Sequence, residues 1–308
     1  MARILLLAFF FCSAQPLFAI QEDVNPFLRH PDFLFSGNEE AKTNFLSAKA
    51  FKGGFGVYLK GDQDHVWQFK SAEDVGFFSF GKNMLWRTSF MVEGLADSGK
   101  DKKVEFRMRQ TGYDLSTAFE LLHNEDDVFY IGYHHRCRHG SDHVTDQNVL
   151  TPDSADSYDS RVVMRSGLEI GYKAIFRIGA FNLISNSDLN TYLWGQNIDI
   201  SFQPRLALSS VLQVEYARFK NVTPFFSAGL GTAWITSSND KSVKHYCLWS
   251  PVNESRWRFS PAAALGFSLP GSVGDFRVFA SYTSKLDTGF GKTTKDAHFI
   301  LFSAEFWL

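Results

Sequence analysis

The sequence predicts an all-β protein, a transmembrane antiparallel up-and-down β-barrel of about 12 strands, within a range of about 12–14. Polar and apolar residues alternate along one segment after another, as strands with one apolar and one polar face do. These segments run about 9–13 residues, which suits tilted strands that cross a bilayer, whereas soluble strands average about 5–6. The chain also ends on such a segment, "HFILFSAEFWL".

The clearest alternation lies in "MLWRTSFMVE". Met84, Trp86 and Phe90 fall on one face, together with Val92, and the charged or polar residues fall on the other: Arg87, Ser89 and Glu93. The same separation occurs at 104–110, 197–203 and 276–284. A soluble sandwich would bury the apolar face, whereas a membrane barrel turns that face to lipid and the polar face to its lumen.

The aromatic residues favour the membrane barrel. The chain has 32 Phe, 10 Tyr and 7 Trp, and several recur near strand ends, where interface girdles lie: Trp67, Trp86, Tyr130, Tyr133 and Trp257. In the last strand one apolar register holds Ile300, Phe302, Ala304, Phe306 and Leu308. This resembles the terminal signal of bacterial outer-membrane barrels, although the family pattern usually ends in Phe or Trp. The resemblance implies the barrel-assembly machinery as a partner.

The predicted strands, in order, are 43–60, 64–80, 83–93, 102–110, 113–122, 127–138, 160–172, 174–184, 196–204, 206–219, 224–235, 256–268, 275–284 and 297–308. Counting back from a periplasmic C-terminus puts the 236–255 loop outside the cell but the 139–159 loop inside. Both loops are long and polar, and long loops are normally extracellular. One strand between Arg161 and Phe219 is therefore in error, and "QPR" at 203–205 is the suspected place.

The N-terminal residues indicate export. "MARILLLAFFFCSAQPLFA" has a positive charge at Arg3, a short apolar run and small residues before a predicted cut after Ala19, which is the layout of a signal peptide. Residues 20–42 are expected to form a periplasmic tail or a lumen plug, and residues 43–308 the barrel. The predicted location is the outer membrane of a Gram-negative-type bacterium.

The charges limit the partners and the passage. The formal net charge is −2, so nothing indicates nucleic acid, and the expected partners are outer-membrane lipids and lipopolysaccharide, with a homo-oligomer left open. Predicted lumen charges have both signs: Arg87, Glu105, Arg107, Arg109, Asp199 and Glu215. Mixed signs favour a filled or narrowly selective interior over a wide pore. The predicted role is structural or porin-like passage of small solutes, and enzyme activity is the less favoured interpretation.

Four of the nine histidines lie in "FYIGYHHRCRHGSDH", residues 129–143. Alternation predicts that Phe129 and Ile131 face lipid and that His135 and Cys137 continue that face at the rim, whereas His134 points to the lumen. "YHHRCRHGSD" resembles a segment Tyr-His-x-Ser-x-His-x-Gly-Asp-Glu of a family of functionally uncharacterised outer-membrane proteins. That resemblance carries over to His134, His139 and Asp142, but Arg136 stands where the family tends to have serine.

A fainter resemblance is to outer-membrane phospholipase A, a twelve-stranded barrel with a His-x-Ser pair on its lipid-facing rim. His135 and Cys137 have the same spacing, so that an imidazole base and a thiol nucleophile would share one face. The resemblance implies the alternative function, a rim-located acyl hydrolase of phospholipase or lipid A deacylase type. No orienting Asn is identifiable.

No cofactor is expected. The alternative is a divalent metal ion held at the rim by His139, Asp142 and His143 or, for calcium, by the acidic loop at 142–159. A solvated loop is the preferred interpretation. Cys137 and Cys247 are the thiols that remain after signal cleavage, and the sequence leaves a disulfide between them open.

Overall fold

The computed structural model describes residues 44–60, 67–81, 83–97, 107–124, 126–140, 162–196, 203–219, 221–237, 245–250, 252, 254–285 and 297–307. Within those ranges no helix is long and apolar enough to cross a membrane. The expected signal peptide, its cut after Ala19 and the segment 20–42 lie outside the described residues.

The described part of the chain forms thirteen strands. They are β1 (Asn44–Lys60), β2 (Trp67–Phe80), β3 (Met84–Asp97), β4 (Arg107–Asn124), β5 (Asp127–Gly140), β6 (Val162–Ile178), β7 (Phe181–Gln196), β8 (Gln203–Tyr216), β9 (Thr223–Ser237), β10 (His245–Cys247), β11 (Glu254–Pro270), β12 (Asp275–Lys285) and β13 (Ala297–Trp307).

Twelve of these strands close into one antiparallel barrel. Each pairs with its sequence neighbours, β9 pairs with β11, and β1 pairs with β13 to close the ring. The three-residue β10 stands apart and pairs only with the end of β7. A closed barrel leaves no unpaired strand edge, which is the condition for a sheet in lipid. The predicted fold class and the strand number of about twelve are confirmed.

The predicted strand list is wrong in three places. The described part of the predicted strand 102–110, which starts at Arg107, and the predicted strand 113–122 belong to one strand, β4. The predicted break near 173 is also absent, because Lys173 is a lumen residue in the middle of β6 and the chain turns at Gly179 instead. Gly179 has a φ of 61°, a conformation that glycine adopts without steric cost.

The predicted strand 196–204 is not a separate barrel strand. Gln196 ends β7 and Gln203 begins β8, while residues 197–202 lie outside the description. The suspected error was therefore in the right place. Four barrel strands, rather than five, separate the two long loops, so both loops lie at the same end of the barrel.

The connections give the barrel two different ends. Five short turns, at 81–83, 125–126, 179–180, 217–222 and 271–274, lie at one end, which we call the turn end. The other connections lie at the opposite end, the loop end, and four of them are longer than any connection at the turn end: 61–66, 98–106, 141–161, 197–202, 238–253 and 286–296. In outer-membrane barrels short turns are periplasmic and longer loops are extracellular, so the loop end is the outer one.

The two faces of the wall differ as the alternation predicts. Leu265 is 66% exposed on the outside, and the predicted lipid register of the last strand is exposed at Ile300, Phe302 and Phe306. Arg87 and Glu120, which point inward, are 3% and 1% exposed. An apolar outer wall around a charged interior is the inverse of a soluble protein. The chain is therefore an integral β-barrel of the outer-membrane type.

Most of the predicted aromatic girdle faces outward, but Tyr130 does not. Trp67 stacks on Phe55 with ring centroids 5.5 Å apart, and Trp86 stacks on Phe119 at 6.1 Å. Tyr130 is 4% exposed and lies in the lumen, where the Lys173 ammonium is 4.8 Å from its ring. Parity along β5 predicts the lumen for Tyr130, together with Val128 and His134, and that prediction is confirmed, whereas its nearness to the strand end does not place it in the girdle.

Candidate functional sites in the lumen and on the outer wall

A first cluster of buried charges crosses the inner faces of β2, β3, β4 and β6. Arg87 Nε donates to Glu120 Oε1 at 2.6 Å, and Arg87 Nη1 lies 3.5 Å from Asp74 Oδ1. Lys173 Nζ adds a second cation 3.8 Å from the same Glu120 oxygen. Each charge has an opposite charge nearby, which is how charged groups are tolerated out of water.

A second cluster lies on the inner faces of β1, β8, β12 and β13. Arg277 Nη2 is 3.6 Å from Glu215 Oε1, and Lys52 Nζ is 3.2 Å from Glu305 Oε2. Trp307 lies between the two cations, 4.4 Å from the Arg277 guanidinium carbon and 4.7 Å from the Lys52 ammonium. Such cation–π contacts are strongest where water is excluded.

These side chains reach across the lumen rather than lining it. Arg277 is on β12 and Glu215 on β8, with β11 and β9 between them, so their ion pair spans part of the barrel cross-section. A buried apolar cluster likewise joins Ile175, Ile184 and Val211 to Ala262 of β11. The lumen is filled by side chains at these levels. Arg87 and Glu215 face it as predicted, whereas the side chains of Glu105, Arg107, Arg109 and Asp199 lie outside the description.

The histidine segment forms β5, and its members are divided between the two faces. His135 points outward, and its Nδ1 is 2.6 Å from the hydroxyl oxygen of Ser166 on β6, its directly opposite residue. Trp194 of β7 is opposite Ser166, and its ring contacts Tyr133 at 5.7 Å. Ser166 is only 1% exposed. The imidazole of His135 and the hydroxyl of Ser166 are therefore in contact on the outer wall, next to the rings of Tyr133 and Trp194.

This pair interrupts the apolar outer wall in the loop-end half of β5 and β6. Below it, toward the turn end, the outward residues Phe129, Ile131, Leu168 and Ile170 are exposed and apolar. His135 and Ser166, which are polar, lie on the loop-end side of these residues. Polar side chains therefore replace apolar ones at this point of the outer wall.

Cys137 lies on the same outward face, two residues beyond His135, and is buried. It is opposite Met164, and the described partner of the His135 ring is Ser166 rather than this thiol. Cys247 lies on β10, opposite Trp194. Both cysteines are free, and the two strands between β5 and β10 put them about 14 Å apart laterally, too far for a disulfide.

Of the three residues carried over from the family motif, only His134 has a described side chain. His134 points into the lumen, where its ring contacts Tyr192 edge-on with centroids 5.3 Å apart. His139 belongs to β5, but its side chain lies outside the description, as do Asp142 and His143 entirely. Among the described residues no group of three His, Cys, Asp or Glu side chains could hold a metal ion. The proposed rim and loop metal sites fall on undescribed residues.

Ser166 is the site residue that the sequence interpretation missed. Its signal was a serine between Met164 and Leu168, which interrupts an otherwise apolar outward register. Only the pairing of β5 with β6 places that serine beside His135.

No protein-family model and no curated protein matches the chain. Among solved structures it is similar to LpxR from Salmonella typhimurium, at 10% identity over 83% of this chain and 99% of the other, with a TM-score of 0.44. It is also similar to an outer membrane phospholipase of Salmonella typhi, a dimer with bound calcium, at 9% identity over 92% and 98% of the two chains and a TM-score of 0.45. The KdgM porin gives 7% identity over 83% and 98%, with a TM-score of 0.40. These are similarities of fold at low identity, and the assignment as a membrane barrel rests on the wall described above.

Proposed function

We propose that this protein is a structural outer-membrane barrel whose passage is limited to small solutes at most. The observation that supports this is the filled lumen, above all the Arg277–Glu215 ion pair that connects β12 to β8. Both side chains are buried, at 4% and 6% exposure. A wide pore needs a water column along its axis, and paired charges that reach across the interior leave little room for one.

Electrical recording in planar bilayers tests this proposal. The parent barrel is expected to show no large steady channel, because the ion pairs and the Trp307 stack obstruct the lumen. The double variant Arg277→Ala/Glu215→Ala should raise the conductance several-fold by clearing that obstruction. Leu265→Ala, which changes only the outer wall, is the control and should behave like the parent. A wide, steady conductance from the parent protein would refute the closed lumen.

A second candidate function is hydrolysis of membrane lipid acyl esters, and the 2.6 Å contact between His135 and Ser166 favours it. In this mechanism the Ser166 hydroxyl oxygen attacks the acyl carbonyl while His135 takes its proton. The ester bond then breaks, the alcohol leaves with that proton, and water releases the fatty acid from the serine. The outward position lets an acyl chain reach the pair from the bilayer. Cys137 is the alternative nucleophile on the same face.

A fluorescent acyl ester presented to the purified protein in detergent tests the second candidate. Turnover should be lost in His135→Ala and Ser166→Ala and retained in Cys137→Ala if serine is the nucleophile. If turnover is instead lost in Cys137→Ala and retained in Ser166→Ala, the thiol is the nucleophile. His298→Ala is the matched control, because His298 is also exposed on the outer wall and its Nδ1 is 2.8 Å from the Tyr282 hydroxyl. Assays with calcium and with a chelator test the expected absence of a metal cofactor. If the parent protein shows no turnover, the hydrolase hypothesis is refuted.

A further inference from the structure

Three polar side chains on the inner face of the barrel have no hydrogen-bond partner among the described residues. Neither ring nitrogen of His134 forms a hydrogen bond, and Asn190 Oδ1 accepts none. The Glu169 carboxylate, which faces the lumen because Leu168 and Ile170 on either side of it face outward, forms no hydrogen bond or ion pair with a described residue. The three residues are 1%, 6% and 8% exposed, in the order named. Because buried polar groups in native proteins are nearly always hydrogen-bonded, this set requires an explanation.

Strand register makes these three residues neighbours. Glu169 of β6 is directly opposite Asn190 of β7. His134 of β5 is opposite Gly167, two residues from Glu169, so the Cα atoms of His134 and Glu169 are diagonal neighbours about 7–8 Å apart. Gly167 has no side chain, and the rings of His134 and Tyr192 meet edge-on across it. The three polar groups therefore share one small area of the inner wall, which we call the polar patch (His134, Glu169 and Asn190).

The surrounding wall does not supply the missing partners. Every wall position next to the polar patch on β4 to β8 is described, so the missing partners are not neighbouring wall residues. The Thr191 carbonyl faces the His134 ring, but the contact lacks hydrogen-bond geometry. In a neutral histidine one ring nitrogen carries a hydrogen and the other accepts. The carbonyl favours the hydrogen on one nitrogen and so leaves the other as an acceptor.

The charges around the polar patch are mostly negative. Across β2 to β7, the rows of inner-wall residues from His134 to Lys173 hold four carboxylates and two cations: Asp74, Glu120, Glu169 and Asp188, with Arg87 and Lys173. Arg87 and Lys173 both contact Glu120. Arg87 also contacts Asp74 and lies within electrostatic range of Glu169, with which it forms no ion pair. The rows that hold the polar patch thus carry a net negative charge.

We propose that the polar patch binds the primary ammonium group of a small solute. An ammonium group has three N–H donors and no acceptor, and the patch offers three acceptors: the Glu169 carboxylate, Asn190 Oδ1 and one ring nitrogen of His134. Glu169 also supplies the opposite charge, which strengthens the hydrogen bonds. Its remaining exposure shows that lumen space adjoins the carboxylate. The proposal concerns binding, so it goes beyond the proposed function and holds whether or not the solute crosses the barrel.

Charge selects an ammonium group over other ligands. The net negative charge disfavours an anion at the polar patch, and a neutral hydroxyl compound would leave the charge of Glu169 unbalanced. Arg136 and Arg165 are directly opposite each other in the next row toward the loop end. A carboxylate on the same solute would face these two arginines. A simple amine and an amino acid are therefore both compatible sources of the ammonium group.

Saturation-transfer NMR with the full-length barrel in detergent tests the ligand class. Propylamine and β-alanine should bind, whereas propionate and tetramethylammonium, a cation without N–H donors, should bind about tenfold more weakly or worse. Tighter binding of β-alanine than of propylamine identifies an amino acid as the source, and the reverse identifies a simple amine. No binding of propylamine, or equal affinity for tetramethylammonium, overturns the proposal. A wide conductance in planar bilayers would refute the closed lumen without changing this result.

Variants test the residues of the polar patch with propylamine as the probe. Glu169→Gln should weaken binding by about tenfold or more, because it removes the charged acceptor, and Asn190→Leu should weaken it less. Both should keep the heat-modifiable gel band that shows a folded barrel, since Glu169 has no described ion pair to lose. Glu73→Gln, the same change at an exposed position of β2, is the matched control and should bind like the parent. A folded Glu169→Gln variant with parent affinity overturns the proposal.

Discussion

Single buried charges in the lumen depend on their partners, and Arg87 shows this most clearly. Its guanidinium contacts Glu120, Asp74 and the Ser89 hydroxyl at once. All four residues are less than one-tenth exposed. Replacing a whole network of this kind by apolar groups is often tolerated, but removing one member leaves the others charged and unpaired.

Arg87→Met is expected to destabilise the folded barrel by about 3–5 kcal/mol, because Glu120 and Asp74 lose their main cation. Denaturant titration in lipid vesicles, followed by the heat-modifiable band, measures the change. Arg177→Met is the control: Arg177 pairs with Asp126 at the turn end, but its side chain is 53% exposed, so little should change. An Arg87 variant as stable as the parent would mean that water replaces the guanidinium.

Among the described strands, β10 is the one that the local pattern of polar and apolar residues did not predict. Beyond Thr191, β8 no longer pairs with β7, and β10 takes its place beside Trp194–Gln196. Arg205, which is fully buried at the start of β8, anchors it by donating to the carbonyl oxygens of Cys247 and Ser250 and to the Thr236 hydroxyl. The described part of the 238–253 connection is thus held against the wall both by its pairing with β7 and by Arg205.

Arg205→Met should release β10 and expose the thiol of Cys247. Because a hydrogen bond from a charged donor contributes about 1.5–3 kcal/mol, maleimide labelling of Cys247 is expected to accelerate by about tenfold or more. The rate is measured on the Cys247 peptide by mass spectrometry. Cys137 in the same molecule serves as an internal control and should keep its parent rate, since β5 is separated from β10 by β6 and β7. Equal rates before and after the substitution would show that Arg205 does not hold the strand.

The whole barrel depends on closure between its first and last strands. β13 pairs with β12 on one side and with β1 on the other, so that it completes the ring of twelve. Without it two long edges would face lipid with unpaired backbone groups, each of which costs several kcal/mol.

Deletion of residues 297–308 is therefore expected to abolish the folded, heat-modifiable form, because β1 and β12 lose their common neighbour. Gel migration of boiled and unboiled samples from vesicles measures this. Deletion of residues 245–247 is the control, because β10 is not part of the ring, and it should retain the faster-migrating folded band. A folded truncated protein would contradict closure through β13.

The sequence alone was sufficient to predict the class, the outward faces of β3, β12 and β13 and a strand number near twelve, because side-chain parity in a strand is local and repeats every two residues. The predicted strand boundaries failed where two alternating segments form a single strand, as in β4. They also failed where a lysine inside a strand, such as Lys173, faces the lumen. For the sites it identified the histidine segment and the outward face of His135. Folding was needed to bring Ser166 beside His135, Glu215 beside Arg277 and Arg205 beneath β10, because these pairs are 31, 62 and about 40 residues apart in the chain and meet only through strand register and barrel closure.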